Sequence, residues 1–187
     1  MNKIIKSVIA AFSGAAAVGI VAYLNGKRRE GILEEYDVVR PFSLNKYLGK
    51  WYEIARFDYK YERNLENVTA EYLLNEDKSV RVVNSGYDIL QSKWKSTVGK
   101  AKFAGREDTG VLKVSFFGPI WSYYYILEVT DDYKCALVTG DNKNYLWILA
   151  REKEISEDIK KQFLDKAIAL GFDTNRLYWV VHTDNVQ

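Results

Sequence analysis

The chain has 187 residues, 27 Lys and Arg against 25 Asp and Glu, a net charge of +2, and 14% aromatic residues that include 14 Tyr. That length suits one domain with a sizeable core plus an appendage, and the mixed charge excludes a basic nucleic-acid footprint outside the N-terminus. A single cysteine, Cys135, and a single histidine, His182, exclude an intramolecular disulfide and a His/Cys zinc site, and leave His182 as the one possible base of a His-dependent triad.

Residues 1–30 stand apart. Lys3 and Lys6 precede an apolar, small-residue run from Ser7 to Leu24, and Lys27-Arg28-Arg29 follow it. The run approaches the ~20 residues that cross a bilayer as a helix. Two readings stay open: a secretory signal cleaved near Ala15-Ala16-Ala17, or an uncleaved membrane anchor through residues 7–24. Length and the basic stop favour the anchor. With no polar face, the run is not expected to be a buried soluble helix. Positive charge flanks both ends, so the charge rule leaves its orientation open. Residues 31–48 read as a connector, in which Pro41-Phe42-Ser43-Leu44 leads to a turn at Tyr47-Leu48-Gly49.

Residues 49–187 form the expected barrel domain. Strands are predicted over 51–58, 67–75, 79–88, 93–104, 111–117, 121–130, 135–140 and 144–151. Asn75-Glu76-Asp77-Lys78, Glu107-Asp108-Thr109-Gly110 and Gly140-Asp141-Asn142-Lys143 supply turns between them. Eight strands on short connections imply antiparallel up-and-down pairing, and eight close into a barrel with room for one small ligand. A helix is predicted over 155–170, with Ser156 as N-cap, Glu157 and Asp158 in its first turn, and an apolar stripe at Ile155, Ile159, Phe163, Ala167 and Leu170. It is expected on the outside of the barrel, followed by a short strand at 176–181. The fold class is thus all-β: an eight-stranded antiparallel calyx with one flanking α-helix, preceded by an N-terminal membrane helix.

Period-2 alternation sorts the two faces of each strand. It turns Ala70 and Tyr72 inward on the second strand, Val82 and Asn84 on the third, and Val114 and Phe116 on the fifth. On the sixth, Glu128 marks the outer face, which turns Tyr123 and Tyr125 inward; on the eighth, Tyr145 and Trp147 point inward. These ten residues are the candidate ligand-binding set. Ala70, Gly99 and Ala101 are small and leave room, while Tyr hydroxyls dot an apolar wall that suits a chain or ring with one polar end. A filled core without a cavity stays open as the alternative.

Leu48-Gly49-Lys50-Trp51-Tyr52-Glu53-Ile54-Ala55-Arg56 resembles the first lipocalin signature, Thr130-Asp131 the second, and Arg151 the lone arginine of the third. Lys113-Val114-Ser115-Phe116-Phe117-Gly118-Pro119 and Tyr145-Leu146-Trp147-Ile148-Leu149 are similar to the bacterial outer-membrane and apolipoprotein D-like group. The resemblance spans about residues 42–181. It implies the calyx, binding of a fatty acid or lysophospholipid, a place at the cell envelope, and Trp51 packed under Arg151 at the closed end as structure rather than ligand contact. A guanidinium on an indole face adds ~2 kcal/mol when desolvated. Two departures stand out: no cysteine precedes Cys135 to be acylated, and Asp132 occupies the place of a tyrosine that arrives one residue later, as Tyr133.

Chemistry beyond binding finds little support. Alternation puts Cys135 outside, with Lys134 as its nearest base, and His182 lies past the last strand. Glu53 is expected to pair with Arg56 or Arg151, and Tyr59-Lys60-Tyr61-Glu62-Arg63 to form a loop at the open end. No catalytic residue, metal or cofactor is expected. The expected partners are a small hydrophobic ligand and, through residues 7–24, a membrane outside the cytoplasm; oligomeric state is open. Two rivals to a lipid container remain: an enzyme acting on a lipid-like substrate through Cys135, and a binder of a ring-shaped pigment.

Overall fold

The computed structural model describes residues 36–59 and 62–184. The apolar run at 7–24 lies outside them, and no helix among the described residues is long and apolar enough to cross a membrane. Eight strands follow one another: β1 (Gly49–Phe57), β2 (Leu65–Leu74), β3 (Val80–Asp88), β4 (Lys93–Phe103), β5 (Val111–Phe117), β6 (Ile120–Val129), β7 (Cys135–Thr139) and β8 (Leu146–Ala150). Each is antiparallel to the next, β8 returns to β1, and β1 also pairs with β2, which closes the barrel.

Closure is uneven along β1. It meets β2 over Gly49–Tyr52, opposite Thr69–Tyr72, and then diverges. A short ninth strand, β9 (Leu177–Trp179), pairs with Ala55–Phe57 beyond that point. The tail then crosses to β2: Asn67 N donates to Val181 O at 3.0 Å, and Thr183 N donates to Asn67 Oδ1 at 2.9 Å. Backbone groups freed by the split therefore find partners, as buried amides must.

The floor is tied by one guanidinium. A single helical turn, α1 (Leu44–Tyr47), runs into Gly49, whose φ of +92° turns the chain into β1. Arg151, just past β8, stacks on Trp51 with its guanidinium carbon 3.8 Å from the ring centroid. Its Nη1 donates to Lys50 O at 2.7 Å, Nη2 to Lys46 O and Leu48 O at 2.8 Å each, and Nε to Tyr133 O at 3.3 Å. Trp51 is fully buried, and its Nε1 donates to Tyr47 O at 2.8 Å. Tyr133, displaced by one place from the family pattern, still serves the floor: its hydroxyl accepts from Ser43 N at 2.9 Å.

Apolar side chains form two main cores, one on each side of the barrel wall, and a small third cluster of Leu65, Val68 and Val180. The inner one holds Trp51, Val82, Leu112, Val138, Trp147 and Leu149. The outer one holds Phe57, Leu137, Ile148 and Tyr125 beneath α2 (Glu157–Ala169), which contributes Phe163 and Ala167. Ser156 caps this helix by accepting from Ile159 N at 3.3 Å. The stretch at 36–48 is built into the domain: Tyr36 packs in the outer core and Phe42 in the inner one, and Val39 N donates to Ile126 O at 3.0 Å.

Replacing Arg151 with Met should lower the unfolding free energy by about 3–5 kcal/mol, because the carbonyls and the indole lose their partner together. Lys should recover less than half of that, since a point charge cannot reach the same fork of acceptors. A loss below about 1 kcal/mol in urea titration would mean that apolar packing alone holds the floor.

Candidate functional site

The interior divides into three levels. At the floor, buried tyrosines form a hydroxyl chain: Tyr47 Oη lies 2.8 Å from Tyr124 Oη, which lies 3.0 Å from Tyr72 Oη. Burial pushes Tyr72 up to about 12 and holds Tyr47 and Tyr124 well above the usual phenol range, so all three are neutral. At mid-height a space is lined by Val68, Ala70, Asn84, Trp147 and Leu149, with Glu53 above and Tyr72 and Tyr124 below. The volume open to the centre of a water molecule is about 10 Å³, room for one water.

At the mouth sits a buried ion cluster. Arg56 Nη1 donates to Glu53 Oε1 at 2.9 Å, and Nη2 donates to Glu62 O at 2.7 Å and Leu65 O at 3.2 Å. Arg56 Nε lies 3.8 Å from Glu62 Oε2. All three side chains are buried. Burial works against the charge on Arg56, but Glu53 and Glu62 hold its pKa above the ordinary value. Burial raises Glu53, with Arg56 opposing. Burial and then repulsion from Glu53 push Glu62 up to about 8, with Arg56 opposing. Above it, Tyr59 meets Tyr145 edge-on at 5.7 Å, and Tyr145 stacks on Trp147 at 5.9 Å.

Of the candidate ligand residues, Ala70, Tyr72, Asn84 and Trp147 line the mid-height space. Val82 and Tyr145 lie in the inner core, with Val114 and Phe116 packed against it. Tyr123 and Tyr125 do not: they stack on each other at 5.5 Å outside the barrel, in the core under α2. The expectation for them fails because β6 carries a bulge. Ile126 pairs with Val138 but Glu128 with Leu137, so Leu127 is an extra residue and the parity above it inverts. Glu128 does face out, where it accepts from Gln162 of α2. Ser122, Tyr124 and Ile126 are the inward residues instead.

The room expected at Gly99 is also taken. A Cβ there would lie 2.5 Å from Phe116 Cδ1, so Phe116 lies across the glycine. The expected pairing of Glu53 with Arg56 forms, but the burial of Glu62 beside them was missed. A bulge in β1 between Glu53 and Ala55 turns Arg56 inward, against its parity with Trp51. Nothing in the order of residues marks Glu62, a loop residue, as buried.

The two reactive side chains take other places. Cys135 packs toward the outer core, and burial, reinforced by Asp132, raises its thiol pKa, the opposite of an activated nucleophile. His182, past the last strand, is half-buried; its Nε2 lies 2.9 Å from Glu53 O, and burial lowers its pKa.

Comparison with known proteins adds three findings. The model of a lipocalin-like domain matches residues 42–182. The outer membrane lipoprotein Blc of Citrobacter freundii is 47% identical over 143 residues, covering 76% of this chain and 81% of the relative; that of Vibrio cholerae is 44% identical over 151 residues, covering 80% and 88%. Temperature-induced lipocalin-1 of Arabidopsis thaliana is 31% identical over 160 residues, covering 81% and 85%. Among solved structures, insecticyanin from the tobacco hornworm Manduca sexta superposes with a TM-score of 0.67 at 20% identity, covering 80% of this chain and 85% of that one. Lobster apocrustacyanin A1 gives 0.61 at 20%, covering 75% and 79%. At such identities these two speak for the fold alone.

The pKa of Glu62 sets a pH dependence. Its folded value lies above the ordinary 4.5, so the stability it contributes is complete below about pH 4.5 and is lost as pH rises through about 8. Between pH 5 and 9 the protein should lose on the order of 2–4 kcal/mol on this account, a loss absent from Glu62→Gln. Equal pH profiles for the two proteins in denaturant titration would show that Glu62 ionises freely.

Proposed function

The chain belongs to the lipocalin family, and from that premise we propose that it takes up one fatty acid or lysophospholipid in its barrel, at a membrane of the cell envelope. The observation that carries this reading is a closed barrel whose inner face is apolar between two polar ends. Such a wall buries a hydrocarbon chain and leaves hydrogen bonds for a head. The mid-height space among the described residues is water-sized, so a chain that reaches it displaces side chains that line it, Trp147 among them. Burial of roughly ten methylenes returns about 8 kcal/mol, against an association cost of about 4–15 kcal/mol. Affinity should therefore rise with chain length.

Membrane association rests on the apolar run at 7–24 and on relatives at 44–47% identity whose names place them in the outer membrane. No cysteine precedes Cys135 in this sequence, so in this proposal the apolar run, rather than an acylated cysteine, is the tether.

The test is native mass spectrometry of the protein with fatty acids and lysophospholipids of graded length. One-to-one adducts are expected, with affinity rising about tenfold per added pair of methylenes until the barrel is full. Trp147→Ala should weaken binding at least tenfold while near-UV circular dichroism reports an intact fold. Absence of any adduct with folded protein would sink the container reading.

A further inference from the structure

Asn84 is the anomaly of the interior. It is 2% exposed, faces the mid-height space, and neither its Oδ1 nor its Nδ2 has a hydrogen-bond partner among the described residues. A buried primary amide without partners carries a penalty that native proteins rarely leave standing. Trp147 shares this wall, and Glu62 lies above it in the mouth cluster. Trp147 Nε1 closes no hydrogen bond of good geometry, though its N–H favours the Glu62 carboxylate, and Glu62 Oε2 is itself without a hydrogen bond among the described residues. Donors and acceptors thus converge on one place in an apolar barrel.

The charge at that place is already committed. Arg56 is matched by Glu53 at 2.9 Å, with Glu62 at 3.8 Å, and its Nη2 is used by two carbonyls. An entering anion would be the third acidic group facing one guanidinium, out of water, where an unmatched charge is least tolerable. A neutral group meets no such opposition. A hydroxyl or ester oxygen can accept from Asn84 Nδ2 and Trp147 Nε1, and a hydroxyl can donate to Asn84 Oδ1 or Glu62.

We propose that Asn84, with Trp147 and Glu62, is an internal polar anchor that selects amphiphiles with an uncharged hydroxyl or ester group near the chain and disfavours those ending in a carboxylate. This rests on the container reading above and sharpens it: within the proposed ligands, the glyceryl ester of a lysophospholipid fits the anchor and a free fatty-acid anion does not.

The experiment is titration of the full chain at pH 7.4 with 1-monooleoylglycerol, oleyl alcohol and oleate, which share one hydrocarbon chain, read by one-to-one adducts and by ligand-induced rise in Tm. The two neutral ligands should bind at least about tenfold more tightly than oleate, the effect of one or two neutral hydrogen bonds. Asn84→Leu, close in shape but unable to hydrogen-bond, should erase that preference; if it does not fold, Trp147→Phe replaces it as the test. Oleate bound as tightly as the neutral ligands overturns the anchor while leaving the container standing. A preference that survives in the folded variant also overturns it. Failure of all three ligands to bind removes the container itself.

Discussion

The barrel depends on one cation placed where the chain must close on itself. Arg151 follows the last barrel strand, Trp51 lies in the first, and the guanidinium joins them while collecting carbonyls from α1, β1 and the turn before β7. A planar fork suits this task because several acceptors converge on it and the ring offers a flat face. Desolvation lowers the pKa of Arg151, yet a guanidinium stays charged in any accessible pH range, so the tie does not switch. With the floor sealed, any ligand must enter at the other end.

That other end is where polar chemistry gathers. The floor is polar but neutral, a chain of tyrosine hydroxyls; the mouth is polar and charged, with two carboxyls around one guanidinium. Between them the wall is aliphatic and aromatic apart from Thr69 and Asn84. This gradient orients an amphiphile: the chain gains by moving down, and a charged head loses by leaving water. The mouth cluster also limits stability at high pH, because burying Glu62 favours its protonated form.

Bulges decide which side chains see the interior. The strands themselves were legible, since alternation and turn residues mark them, and the inward placement of Asn84, Val82 and Trp147 follows from parity alone. Parity fails where one strand gains a residue. At Leu127 an extra residue sends Tyr123 and Tyr125 under α2 and brings Tyr124 inside; near Ile54 another brings Arg56 inside. A bulge is set by how two strands pair across the sheet, and neither strand carries a local mark of it.

The sequence by itself determined the barrel, its flanking helix and its family, because hydrophobic period, turn chemistry and the Trp51 and Arg151 motifs are local features read one segment at a time. It also determined that few groups here could do covalent chemistry, with one cysteine and one histidine in the whole chain. Only the tertiary structure decided that Phe116 covers Gly99, that Glu62 folds in against Arg56, that the tail bridges the split between β1 and β2, and that Asn84 is left without a partner. Each of those depends on atoms brought together from distant parts of the chain, and packing at that scale follows from shape and desolvation rather than from the order of residues.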